Sequence, residues 1–277
     1  MSHLSFALRA APGLLAAILM APVAMAQGLF GQTTDYASVE LHAGRDVGAG
    51  ERLTVLRMEL KPGWKTYWRN PGDAGIPPHF DWAGSSNLKS VTVDWPTPIV
   101  FDTYGSRTIG YEQRMTLPLM MAAEDPTQPI KVRLNFTYGL CSEICIPAQA
   151  DIALTIPPGA PEDGGYFLDR AYAETAVDAA AGGLTILACR VEGAGEERLF
   201  HAAFTVDQPF VSQPVVIAEG PEGVWFGPTE LRVSDGVIIA EGPVETAADQ
   251  WIERSALSLT LLGLDRAVTQ HGCAPKG

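Results

Sequence analysis

Positive charge is scarce in this chain. Its 277 residues carry 19 Lys and Arg against 32 Asp and Glu, a net charge of −13. That balance argues against nucleic acid or an anionic lipid surface as the main partner, since both are bound through basic patches. Long apolar runs are missing too. The best candidates, residues 14–20 (LLAAILM) and 256–264, reach at most about half of the roughly 20 residues that span a bilayer. No Ser-His-Asp order, paired-carboxylate frame, phosphate-cradling glycine loop or zinc motif stands out, so hydrolase and nucleotide-binding readings have no footing. No cofactor or metal site is expected.

What is plentiful is punctuation. Gly 28 and Pro 21 interrupt short apolar runs, and 47% hydrophobic against 18% charged residues is enough for a packed core. This pattern predicts an all-β chain of many short strands with tight turns.

Residues 1–26 have the anatomy of an export leader: Arg9 as the positive flank, LLAAILM as the apolar centre, and Ala24-Met25-Ala26 as the small-x-small cleavage signal. Cleavage after Ala26 leaves a mature chain from Gln27, exported and without direct membrane insertion. From residue 36 to 156 alternation recurs: 53–60, 88–95, 113–121, 130–138 and 151–156 read as strands, with a slip near Arg57 that suggests a bulge. Residues 99–110, behind Pro96 and Pro98, read as a loop. About eight strands point to a sandwich over residues 27–158. Residues 157–165 (PPGAPEDGG) mark a boundary, and 166–181 read as a short linking helix. Strand-like runs then resume, which predicts a second β-sandwich over residues 159–277.

Four cysteines remain, in a compartment that oxidises them. Cys141 and Cys145 stand four positions apart, with three residues between them, between two strand-like runs. Residues four apart on an extended strand lie about 13 Å from each other. A disulfide needs Cα atoms at about 4.4–6.8 Å, so the pair closes only if Ser142-Glu143-Ile144 turns. Spacing alone leaves three readings open: a static staple, an exchanging pair, or part of a metal site. Cys189 and Cys273 form no local motif. If their strands neighbour each other they can close a structural disulfide; otherwise they are free thiols or a second redox pair.

Further residues fix the company the pair keeps. Gly63-Trp64-Lys65-Thr66-Tyr67-Trp68, Trp95-Pro96 running to Asp102-Thr103-Tyr104-Gly105, Met115-Thr116-Leu117-Pro118-Leu119, and Asn135-Phe136-Thr137-Tyr138-Gly139 leading into Cys141 and Cys145-Ile146-Pro147 follow one another in order. In these stretches the chain resembles the N-terminal periplasmic domain of DsbD-type thiol:disulfide interchange proteins, most closely their ScsB-like branch. The resemblance implies an immunoglobulin-like fold in the periplasm, with Cys141 and Cys145 as the exchanging pair. Electrons would come from a separate inner-membrane donor and pass to periplasmic thioredoxin-like proteins, as in a protein-disulfide reductase component. It further implies that Cys145 attacks the client while Cys141 resolves, that Tyr67 lies beside the pair, and that a cap of Phe101, Asp102 and Tyr104 shields it.

Two departures qualify this. The better-known pattern has a longer gap between the cysteines, and a Phe where this chain has Thr103. The chain also ends at Gly277 without the multi-helix membrane domain and the thioredoxin domain of the full-length proteins. Two alternatives stay open: a copper-binding or copper-tolerance protein using the thiols with Met120, Met121 or His79 as soft ligands, and a non-catalytic interaction module with a structural disulfide. Trp64, Trp68, Trp82 and Trp95 are read as packing residues. Asp102 and Glu143 are carboxylates that would hold back a thiolate if they lay beside it.

Overall fold

The computed structural model describes residues 31–103, 105–193, 198–247 and 250–273. The leader and its cleavage point after Ala26 lie outside the described residues, as does Tyr104. The described residues are all-β apart from one helix and one 3-10 turn. No helix among the described residues is long and apolar enough to cross a membrane.

The first half holds eleven strands: β1 (Gly31–Thr33), β2 (Ala37–Gly48), β3 (Glu51–Leu60), β4 (Lys65–Gly72), β5 (His79–Asp81), β6 (Leu88–Val93), β7 (Ile99–Thr103), β8 (Ser106–Glu112), β9 (Arg114–Ala123), β10 (Ile130–Cys141) and β11 (Cys145–Ile156). They form two sheets, ordered β1-β2-β3-β9-β6 and β11-β10-β4-β8-β7, with β5 also pairing β10. Alternate residues of each strand meet between the sheets. Leu56 and Met58 of β3, with Leu117 and Leu119 of β9, face Val132, Leu134 and Phe136 of β10 and Ile152 of β11. This sandwich is immunoglobulin-like.

Three local expectations change. The slip lies in β2, not at Arg57: β3 pairs in unbroken register with β9 from Glu51 to Glu59, while β2 shifts between His42 and Arg45. Gly44 makes this possible, at φ 63 and with Leu53 O so close that a Cβ there would lie 1.8 Å from it. Residues 99–110 are not a loose loop. They form the hairpin β7–β8, in which Ile99, Val100 and Phe101 pair with Gly110, Ile109 and Thr108, and Gly105 takes φ 82 in the connection. The β-branched and aromatic residues on either side outweigh the turn formers at its tip. The helix α1 is Gly165–Glu174 only. Thr175 is extended and donates its hydroxyl back to Tyr172 O, after which Val177 pairs with Val268 in a parallel edge bridge. A sheet partner, absent from local sequence, captures the residues that alanine content assigned to helix.

α1 lies on the first half. Leu168 packs with Leu53 and Val55, flanked by Met120 and Phe167. The connection before it is stitched down by Arg52, which is buried and donates to Ala43 O, Gly44 O, Ala160 O and Pro161 O.

The second half contains β12 (Val177–Asp178), β13 (Leu184–Glu192), β14 (Leu199–Val206), β15 (Val215–Glu219), β16 (Trp225–Phe226), β17 (Glu230–Ser234), β18 (Val237–Glu245), β19 (Ser258–Leu262) and β20 (Val268–His271). One sheet runs β12-β20-β19-β15; the other runs β13-β14-β18-β16, with β17 on β18. Their facing residues make a second core around Phe200, Phe204, Val216, Leu259 and Leu261. The first of these sheets is covered on both faces. Val216, Ala218, Leu259 and Leu261 point into their own core, while Val215, Ile217 and Leu262 join the core of the first half. That is why β15 and β19 read as almost continuous apolar runs.

Candidate functional site

β10 and β11 form a hairpin of twelve paired positions, and the last pair is Cys141↔Cys145. Ser142, Glu143 and Ile144 make the connection, closed by Ser142 N donating to Ile144 O at 3.1 Å. The turn brings the two Cα atoms to 4.1 Å and the sulfurs are joined as a disulfide. The two cysteines differ in access. Cys141 is 7% exposed, whereas Cys145 is exposed, and so is its neighbour Ile144, at 67%.

Tyr67 reaches the pair from β4. It is 1% exposed, and its hydroxyl lies 3.2 Å from Cys145 Sγ. A disulfide sulfur carries no proton, so Tyr67 is the donor. Burial raises the Tyr67 phenol above its ordinary value, which keeps it protonated and able to donate. The ring occupies a slot between two glycines. A Cβ on Gly139 would lie 2.7 Å from Tyr67 Cδ2, and one on Gly75 would lie 2.7 Å from Tyr67 Cδ1. Thr66, buried beside it, donates to Gly139 O at 2.9 Å and holds β4 against β10.

Lys65 pairs with Cys141 across β4 and β10. Its ammonium sits 4.5 Å from the centroid of the Phe101 ring, a cation–π contact that links the β7–β8 hairpin to the cysteine end of the sheet. Asp102 is exposed and engages its own hairpin, accepting from Gly105 N at 3.3 Å. Glu143 is exposed in the connecting turn. The structure therefore gathers Cys141, Cys145 and Tyr67 directly and ties Phe101 in through Lys65. Sequence reasoning passed over Lys65, Gly75 and Gly139. The signal for Lys65 was present: strand alternation places it on the same face as Tyr67.

The soft ligands of the copper alternative are dispersed. Met120 and Met121 belong to β9, in the other sheet, near the end where β9 leads into β10. Cys141 lies at the opposite end of β10, eleven residues on, or roughly 35 Å away along the strand. Met121 is fully buried, and His79 stands exposed on β5. Among the described residues no group of three or more His, Cys, Asp or Glu side chains could hold a metal ion. The tryptophans pack: Trp64 stacks on Tyr36 at 4.2 Å, Trp82 stacks on Phe80, Trp95 meets Phe80 edge-on, and Trp68 is buried.

The second disulfide, Cys189–Cys273, has its Cα atoms at 5.2 Å and both residues buried. Cys189 belongs to β13 and Cys273 follows β20, so the bond joins the two sheets of the second half.

Residues 40–157 match the family described as thiol:disulfide interchange protein DsbD, N-terminal. The matched segment runs from β2 to the end of β11 and contains both cysteines of the hairpin, Tyr67 and the β7–β8 hairpin. The fold is shared with the N-terminal periplasmic domain of ScsB from Proteus mirabilis, at a TM-score of 0.67 and 23% identity, over 90% of this chain and 98% of that one. No curated protein matches the chain.

Proposed function

We propose that this protein is a periplasmic thiol–disulfide exchange protein that relays reducing equivalents through Cys141 and Cys145. The observation that carries the reading is the asymmetry of the pair: an exposed Cys145 with a buried hydroxyl donor on its sulfur, backed by a buried Cys141. Residues 27–158 are the exchange unit in this reading, and residues 159–277 a second unit. Residues 1–26 direct export.

In the reduced protein the Cys145 thiolate attacks one sulfur of a client disulfide. A Cys145–client bond forms, the client S–S bond breaks, and the client's other sulfur leaves as a thiolate. Cys141, deprotonated in its turn, then attacks Cys145 Sγ. This closes Cys141–Cys145 and expels the client's second thiolate, so two electrons pass to the client, which takes up two protons. The Tyr67 hydroxyl favours the thiolate at Cys145 by donating to it, because a hydrogen bond to the charged form lowers a thiol's pKa. Exposed Ile144 offers an apolar contact beside the attacking sulfur. Clients are thioredoxin-like proteins with accessible disulfides, and a separate inner-membrane dithiol partner reduces the pair again.

The reduction potential of Cys141–Cys145 in the purified chain from Gln27 onward tests this. A value above about −300 mV is expected, and one below it would mark a structural bond and end the proposal. In a Cys141→Ser variant Cys145 should trap a mixed disulfide with an oxidised thioredoxin-like protein, and Cys145→Ser should trap none.

A further inference from the structure

β4 loses its sheet partners just after Tyr67. On one side it pairs with β10 only through Lys65 and Thr66. On the other its ladder with β8 runs from Lys65 to Tyr67, then slips, and resumes only at Gly72. Between these points Trp68, Arg69, Asn70 and Pro71 have no ladder pairs, and the side chains of Trp68 and Arg69 anchor the stretch. Trp68 is buried in the first core. Arg69 stacks its guanidinium on the Trp68 ring at 3.9 Å and reaches out of the first half altogether.

Its partner is Glu219, at the end of β15 in the second half. Arg69 Nε donates to Glu219 Oε1 at 3.0 Å and Nη2 donates to Oε2 at 2.8 Å, a two-pronged ion pair. Nη2 also approaches Thr260 Oγ1 of β19 at 3.4 Å. Both charged side chains are partly buried, at the wall of a cleft of about 680 Å³ between the halves. Glu219 continues the row Val215 and Ile217, which packs into the first core, so a fixed surface presents its carboxylate.

We infer that the second half is a structural support of the exchange site: Glu219 is a positioning residue that fixes Arg69 and the unladdered stretch of β4, and thereby holds the Tyr67 hydroxyl on Cys145. Only Trp68 separates Arg69 from Tyr67 in sequence, and the ring slot between Gly75 and Gly139 tolerates little displacement. A shift of β4 lengthens the Tyr67–Cys145 hydrogen bond, which weakens steeply beyond its normal geometry. This rests on the exchange reading above and gives the second half a part in it.

The test is the thiolate fraction of Cys145, taken from the pH profile of its alkylation by iodoacetamide, read by mass spectrometry. The chain is first mildly reduced, so that buried Cys189–Cys273 stays closed. Tyr67→Phe should lower the thiolate fraction at pH 7 about tenfold, as expected for losing a hydrogen bond to a charged group. Glu219→Ala, and more mildly Glu219→Gln, should lower it about threefold, as for weakening that bond. The double variant Tyr67→Phe/Glu219→Ala should match Tyr67→Phe alone, because Glu219 acts only through Tyr67. An unchanged profile in both Glu219 variants overturns the inference. So does a double variant in which the two effects multiply, or a Tyr67→Phe profile identical to the unsubstituted chain. The potential of the unsubstituted pair decides the exchange reading independently of these outcomes.

Discussion

At the scale of single residues, Tyr67 is the side chain on which most depends, and its chemistry is set by burial. Four phenols, Tyr67, Tyr111, Tyr138 and Tyr172, are pushed upward, each chiefly by loss of water, and Tyr111 most of all. In the unfolded chain these groups ionise near pH 10. The folded chain keeps its protons to higher pH, so above about pH 10 the unfolded state binds fewer protons than the folded one. The tyrosine contribution to stability is therefore fully present below pH 10 and is lost as pH rises through the elevated folded values. Urea midpoints should fall progressively above pH 10. Tyr111→Phe should flatten part of that fall, although it also loses the bond from Tyr111 OH to Pro96 O at 2.9 Å. Over the neutral range Tyr67 stays a neutral donor, as its place on Cys145 requires.

At the scale of elements, the bulge in β2 is a hinge point for the fold. Gly44 exposes its carbonyl to Arg52 and forms an isolated bridge with Asp163, so one distortion anchors both β2 and the chain leading to α1. Gly44→Ala puts a Cβ onto Leu53 O at a positive φ, and neither backbone can yield without breaking the Arg52 contacts. The expected loss is about 2–3 kcal/mol in urea denaturation. Element by element, the sequence was legible wherever alternation was strict. The strand β10 up to Tyr138 and the second part of β11, from Asp151 on, follow from period-two burial. The β7–β8 hairpin was obscured by Pro96, Pro98 and Gly105, which dominate a local reading. The shortened helix was hidden because β20, some 90 residues away, supplies the partner that ends it. The cysteine turn stood out in the sequence. Gly75 and Gly139 as walls for Tyr67 did not, since close approach shows only in three dimensions, and Glu219 gives no sign in sequence of a partner 150 residues upstream.

At the scale of the whole molecule, two disulfides occupy contrasting settings. Cys141–Cys145 spans four residues of sequence and lies at a surface turn; Cys189–Cys273 spans 84 and is buried between sheets. Closing so long a loop restrains the unfolded chain by about 4–5 kcal/mol in the chain-entropy account. Cys189→Ser with Cys273→Ser should lower the urea midpoint by an amount of that order, while the potential of Cys141–Cys145 moves little. Because one sheet of the second half is sealed against the first, the two halves should melt together in a single calorimetric transition rather than in two.

The ladder of β10 and β11 has one more consequence. Twelve register pairs fasten these strands, and the disulfide adds only a clasp at the end where they turn. Opening the clasp leaves the eleven other pairs in place, with Thr66 still bonded to Gly139 O. Under the exchange reading the oxidised and reduced proteins should share one backbone, so that two-electron transfer would cost little reorganisation. A protein built this way would not signal its redox state by changing shape; under the exchange reading a partner would have to read the sulfurs themselves.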